Sequence, residues 1–326
     1  MIRIVFAGIA VLIVVGGMFT WREARAIGRA YPPVGAFVAL PGGARLHYTE
    51  RLPRGEVGET VLLLHGASGN QADVMLPLGD RLAAKGFRVL AVDRPGHGWS
   101  DRPDGEADAS PARQAELILA ALRQIGVDRA IVVGHSWSGA LAADLALDHR
   151  DFTRGLVLLS PVLYPWPSGV AWYNHVATWP WIGPLFTHLL TMPVGLLSIQ
   201  GGVAEVFAPQ AAPSDYAART GVYLVLRPAE FTANAQDVLH LHDFVAAQGP
   251  RMPTIAVPTA IVVGDGDTVV SPDIHSRHAA RDIPGATLVM LPGIGHSPHW
   301  ADPDRVVEVI ADVARKVAHP PPLAAQ

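Results

Sequence analysis

A serine lies in the run Gly134-His135-Ser136-Trp137-Ser138-Gly139, between Ala130-Ile131-Val132-Val133 and Ala140-Leu141-Ala142-Ala143. That order predicts a strand, a sharp turn and a helix, with Ser136 at the apex. A serine hydroxyl is a weak nucleophile at neutral pH until a base takes its proton. The chemistry such a turn serves is attack on a carbonyl. It needs a histidine as base, a carboxylate to orient the histidine, and backbone N–H donors for the developing oxyanion.

Each partner has a candidate after a separate apolar run. Thr60 to Leu64 is followed by His65-Gly66-Ala67-Ser68-Gly69-Asn70, whose small residues let backbone N–H groups approach a substrate oxygen. The N–H groups of Ala67 and Trp137 are the oxyanion-hole candidates; taken alone, the loop reads as a plain glycine turn. Thr259 to Val263 is followed by Gly264-Asp265-Gly266-Asp267-Thr268. Asp267, further past the strand end, is the better acid and Asp265 its rival, although aspartates also serve turns. Ala286 to Leu291 is followed by Pro292-Gly293-Ile294-Gly295-His296-Ser297, which makes His296 the candidate base. With 14 histidines in the chain a lone one means little; His275, His278 and His299 read as surface or helix residues. The order Ser136, Asp267, His296 is that of one serine-hydrolase fold and differs from the trypsin-like and subtilisin-like orders.

These residues need a frame that gathers strand ends. Arg45 to Glu50, Arg88 to Val92 and Gly155 to Leu159 also read as strands. Asp73 to Lys85 reads as a helix, with Asp73 as its cap and Gly86 as its stop. Further helices are expected over Ala112 to Ile125, Gly139 to Leu147, Ile274 to Ile283 and Pro303 to Val317. Short apolar strands alternating with helices predict an α/β fold, a parallel sheet covered on both faces. Ligands of such sheets gather beyond the carboxyl ends of the strands. From Pro161 to Pro253 the alternation breaks, in a segment too long for a simple loop, which predicts a helical cap. Trp166, Trp172, Trp179 and Trp181 crowd its first part. Most are expected to pack the cap onto the core and some to roof the pocket.

The chain has 326 residues, 50% hydrophobic and 17% charged, with a net charge of -4 and no cysteine. That length suits one large domain with an insertion. The missing cysteines exclude disulfides, thiolate metal sites and a cysteine nucleophile, and no basic run points to nucleic acid. Ile4 to Thr20 carries no charge, while Arg3 precedes it and Trp21, Arg22, Arg25 and Arg29 follow. Seventeen residues at ~1.5 Å each span ~25 Å, enough for a slightly short membrane helix. An uncleaved single-pass anchor in a bacterial-type inner membrane is the favoured reading of residues 1–30. A cleaved signal peptide, giving a secreted or periplasmic protein, is the alternative, and a buried helix the third. The core is expected over 36–160 and 254–318, the cap over 161–253, and a disordered Pro-rich tail over 319–326.

From roughly Phe37 to Val317 the chain resembles the α/β-hydrolase superfamily. The resemblance rests on His65-Gly66, Asp93-Arg94-Pro95-Gly96-His97-Gly98-Trp99-Ser100, the Ser136 turn, Gly264-Asp265-Gly266-Asp267 and Gly295-His296. It implies an eight-stranded, mostly parallel sheet with the cap inserted after the sixth strand. The usual turn reads G-x-S-x-G, whereas position 138 here is serine and glycine follows at 139. Relatives that open epoxides or remove halide use aspartate at the position of Ser136, which argues against both chemistries. The Asp93 to Ser100 run reads as a structural loop, with His97 and Trp99, together with His65 and Gly66, as pocket-lining candidates. The implied activity is hydrolysis of a small-to-medium apolar carboxylic ester through an acyl-enzyme on Ser136, His296 and Asp267. The same three residues also suit a carbon–carbon bond hydrolase or a cofactor-free perhydrolase, and a weakly active or inactive binding or accessory protein on the same fold is a further alternative. No metal or organic cofactor is implied. The expected partners are the ester and, through residues 1–30, a membrane.

Overall fold

Alternate residues of each central strand face opposite layers, so a strand covered on both sides must be apolar throughout. The computed structural model, which describes residues 2–319, has this arrangement. Leu62, Leu64, Leu90, Val132, Leu156 and Leu158 enter one core layer. Val61, Leu63, Val89, Ala91, Ile131, Val133 and Val157 enter the other. The strands are β1 (Ala36–Ala39), β2 (Arg45–Arg51), β3 (Thr60–Leu64), β4 (Arg88–Val92), β5 (Ala130–His135), β6 (Thr153–Leu159), β7 (Thr259–Gly264) and β8 (Thr287–Leu291). They form one eight-stranded sheet in the order β1-β2-β4-β3-β5-β6-β7-β8. β2 pairs antiparallel with β1 and β4; the other pairings are parallel. Four-residue β1, with only Val38 buried, is too short to show a period and was not expected from the pattern.

The helices of the core are α2 (Gln71–Ala84), α3 (Pro111–Gln124), α4 (Ser138–Asp148), α10 (Ser276–Asp282), α11 (Pro298–Ala301) and α12 (Pro303–Ala318). The α2 cap is Asn70, whose side chain accepts from the Ala72 N–H at 2.9 Å, and not Asp73. Asp73 is buried one turn in, where Tyr216 Oη donates to its Oδ1 at 2.8 Å. Between β6 and β7 stand α5 (Trp172–Thr178), α6 (Ile182–Leu189), α7 (Thr191–Phe207), α8 (Tyr216–Thr220) and α9 (Pro228–Gln248).

The tryptophans of this insertion differ from expectation. Trp172, Trp179 and Trp181 are 68%, 60% and 88% exposed, so three of the four face away from the core. At the N-terminus, α1 (Ile2–Ala30) is one continuous helix, long and apolar enough over Phe6–Ala30 to cross a membrane. From Ile4 to Val15 every side chain described is exposed. From Gly16 onward one stripe, through Thr20 and Ile27, packs on the insertion. Of the expected tail, all but His319 lies outside the described residues.

Candidate active site

The parallel register brings the ends of β3, β5, β7 and β8 to one edge, and the singled-out residues lie in the loops that leave it. Ser136 joins β5 to α4 with φ 54°, a left-handed conformation that a non-glycine residue adopts only when its surroundings impose it. Three backbone hydrogen bonds impose it here. The Ser136 N–H donates to Leu159 O at 2.9 Å, and Ser136 O accepts from Gly139 and Val162 at 2.8 and 3.0 Å. A Cβ at Gly134 would strike the Ser138 carbonyl, and one at Gly139 would lie 2.5 Å from Pro161 Cβ. The second steric demand of the turn thus falls on 139. Ser138 is tolerated because its buried hydroxyl donates to His65 O at 2.5 Å.

His296 Nε2 lies 2.8 Å from Ser136 Oγ, and His296 Nδ1 lies 2.8 Å from Asp267 Oδ2. A carboxylate only accepts, so Nδ1 carries the proton and Nε2 is free to accept from the serine hydroxyl. Asp267 is itself fixed by the Val269 and Val270 N–H groups, each 2.9 Å from Oδ1. The rival Asp265 accepts from the Gly293 N–H at 2.6 Å and only braces the loop that carries His296. That loop is also held from the cap, since the His296 N–H donates to Val206 O at 3.2 Å and Gly295 N–H to Gln210 Oε1 at 2.8 Å.

Among the described residues, the backbone N–H groups of Ala67 and Trp137 have no intramolecular acceptor, as donors kept for a ligand oxygen must. Both neighbourhoods are tied to α9. Ser68 N–H donates to Asn234 Oδ1 at 2.6 Å, and Trp137 Nε1 donates to Asp237 O at 2.9 Å. The Arg94 guanidinium sits 3.9 Å above the Trp137 ring and donates to Asp237 Oδ2 at 2.6 Å. Arg94, Asn234 and Asp237 were not singled out from sequence. Glu230, Asn234 and Asp237 share one face of α9 and are all buried; that polar stripe at helical spacing was a usable signal.

The pocket-lining candidates fare differently. Gly66 abuts the serine, with a Cβ there falling 3.0 Å from Ser136 Cβ. His65 and His97 are fully buried. His65 Nε2 accepts from the Arg94 N–H at 3.0 Å, and His97 meets Arg94 Nη2 at 3.2 Å. Burial, reinforced by the Arg94 charge, holds both imidazoles well below the ordinary histidine range. Trp99 faces α1 instead: its Nε1 donates to Tyr31 O at 3.1 Å, and Arg227 lies over its ring.

Two of the histidines read as surface or helix residues are buried, and His299 does lie in helix α11. His275 Nδ1 accepts from the Leu163 and Tyr164 N–H groups, each at 3.2 Å. His299 Nε2 and His135 Nδ1 stand 3.4 and 3.6 Å from Asp73 Oδ2, making the one group of three possible metal ligands among the described residues. It lies behind the Ser136 turn, where His135 Nε2 donates to His296 O at 3.0 Å. Burial alone would raise the Asp73 carboxyl. The charge and hydrogen bonding of His299, with His135 and Tyr216, outweigh it and hold Asp73 below the usual range.

Residues 59–303 match the family model described as alpha/beta hydrolase fold. A proline iminopeptidase of Saccharolobus solfataricus is 26% identical over 294 residues, 84% of this chain and 90% of that protein. The magnesium-chelatase 30 kDa subunit of Rhodobacter capsulatus is 30% identical over 273 residues, 78% of this chain and 86% of that one. Among solved structures, an esterase from Exiguobacterium antarcticum superposes with a TM-score of 0.68 at 20% identity, covering 86% of this chain and all of its own.

Proposed function

The chain belongs to the alpha/beta hydrolase fold family, and from that premise we propose that it is a serine hydrolase of apolar carboxylic esters. The observation that carries the reading is the Ser136–His296–Asp267 chain, with both hydrogen bonds at 2.8 Å. Ser136 Oγ attacks the ester carbonyl as its proton passes to His296 Nε2. The Ala67 and Trp137 N–H groups take the oxyanion, which is worth most in a site shielded from water. His296 then protonates the leaving alcohol, and an acyl-enzyme remains. Water attacks it, giving its proton to His296, which returns it to Ser136 as the acid departs. Asp267 holds the ring and stabilises the imidazolium.

The substrate reading rests on the cap, where residues 155–204 contain no Asp, Glu, Lys or Arg. Such a roof offers no counter-ion to a charged acyl group and suits a small-to-medium apolar one. We assign α1 as an uncleaved anchor, with Trp21 and Arg22 at the membrane surface.

A panel of p-nitrophenyl esters of graded acyl length tests the activity. Wild type turns over the short and medium members, and Ser136→Ala loses on the order of 10⁴-fold or more in kcat. Unchanged turnover in Ser136→Ala would sink the assignment. The 30% identity to a protein named as a chelatase subunit favours one second reading, an accessory protein with little turnover. Labelling by a fluorophosphonate that is lost in Ser136→Ala supports the enzyme; no labelling of wild type supports the accessory reading.

A further inference from the structure

We propose that the elbow between α6 and α7, with the outer face of the cap around it, lies in the hydrocarbon of a lipid bilayer beside α1. The proposal rests on the reading of α1 as a membrane anchor.

The length of α1 is the first argument. From Ile4 to Val15 every side chain described is exposed, and this stretch rises about 18 Å, whereas a bilayer core is ~30 Å thick. The remaining length must come from the part of α1 that packs on the cap. The contact confirms the overlap: a Cβ on Gly16 would lie 3.0 Å from Leu189 Cδ2, at the end of α6. Gly16 is inside the charge-free run that ends at Thr20, about 6 Å along the axis from its boundary. Whatever depth Gly16 reaches, Leu189 reaches too.

The exposed surface of α6, of α7 and of the turn before them is largely apolar. Trp179, Trp181, Ile182, Leu185, Val194 and Leu197 are between 47% and 88% exposed. An exposed apolar patch of this kind is unusual on a surface that meets only water. α6 and α7 meet at a 60° bend and together are apolar enough for a re-entrant element. Backbone entering hydrocarbon must satisfy its own polar groups, and much of the elbow's backbone is paired within it. The Leu190 N–H donates to Phe186 O at 2.9 Å and Val194 N–H to Leu190 O at 3.1 Å. The hydroxyls of Thr187 and Thr191 are folded back onto Gly183 O and Thr187 O. α7 then runs from the elbow to Val206, whose carbonyl holds the His296 N–H. The membrane face and the candidate base are therefore the two ends of one helix, which suits an ester dissolved in the bilayer.

The chain has no cysteine, so single cysteines report cleanly. Full-length Leu197→Cys and Trp181→Cys carry a nitroxide in phosphatidylcholine vesicles, with Val57→Cys, before β3 at the opposite end of the sheet, as the aqueous control. The ratio of oxygen to water-soluble nickel-complex accessibility is expected to be about tenfold higher at 181 and 197 than at 57. Equal ratios overturn the proposal. Labels shielded from both reagents mean that protein, such as a second copy of this chain, covers the face, and also overturn it. A chain that floats with the vesicles but has aqueous labels overturns the cap docking alone; one that does not float overturns the anchor reading as well.

Trp181→Ser/Leu197→Ser is expected to raise the apparent KM for a long-chain ester carried in the vesicles about fivefold or more. Its kcat/KM for a soluble short ester stays unchanged. Equal losses on both esters overturn the supply of substrate from the membrane. Absence of turnover on any ester overturns the esterase reading, while the label ratios still decide the docking.

Discussion

Trp137 donates its indole N–H to the backbone carbonyl of Asp237, 2.9 Å away across the boundary between the nucleophile turn and cap helix α9. The backbone N–H of the same Trp137 is a proposed oxyanion donor. The side chain of Asp237 is fully buried and accepts from Arg94, Arg102 and Gln114. One cap residue therefore braces the proposed oxyanion donor and neutralises two buried or nearly buried guanidinium groups. The insertion between β6 and β7 thus forms part of the scaffold of the proposed site.

Asp237→Ala should be among the most damaging substitutions outside the three proposed catalytic residues. Breaking a buried ion pair leaves uncompensated charge and costs about 3–5 kcal/mol. Urea unfolding would measure it. A loss below about 1 kcal/mol would show that water reaches Arg94 and Arg102 and screens them.

Trp137→Phe keeps an aromatic ring beneath Arg94 and removes the indole donor. The Asp237 carbonyl is left without that partner, at a cost of about 1–3 kcal/mol. If the side chain positions the Trp137 backbone, kcat falls several-fold with KM little changed. A rise in KM alone would point to substrate contact instead.

The two aspartates after β7 should separate sharply. Asp267→Asn retains the shape but supports the wrong imidazole tautomer, with an expected loss of about 10³–10⁴ in kcat. Asp265→Asn still accepts from the Gly293 N–H and should stay within a few-fold of wild type. Comparable losses would mean that the loop, and not the acid, limits turnover.

Asp144, buried in α4, gives a prediction about pH. Burial, with Asp148 and Glu116 adding and Arg251 opposing, raises its carboxyl from 3.8 to about 7. Between about pH 4 and 7 the folded chain then binds more protons at this site than the unfolded chain, so stability falls as pH rises through that window. Asp144→Asn removes the dependence. It should be more stable than wild type at pH 8 by up to about 4 kcal/mol, with the gain vanishing near pH 4. Thermal unfolding of both proteins at pH 5 and 8 would show it; a constant difference between them would refute the shift.

Much of the frame was legible because its causes are local. β3 and β4 begin and end where their apolar runs do, since strands covered on both faces leave no other pattern. Ser136, Asp267 and His296 could be nominated because parallel strands send their following loops to one edge. Position 138 shows the limit of a motif: Ser138 fits because its hydroxyl finds the His65 carbonyl, a partner 73 residues away.

What the sequence by itself determined, then, is the alternation of elements and the short list of reactive side chains, because strand and turn formation depend on near neighbours. Tertiary structure showed that of Asp267 and Asp265, which share one turn, it is Asp267 that reaches His296. It buried His299 beside Asp73 and joined Asp237 to Trp137 across 100 residues. It also turned Trp172, Trp179 and Trp181 outward. A hydrophobic pattern records that a residue avoids water, but only the fold shows whether it does so against protein or against a surface left open for another apolar phase.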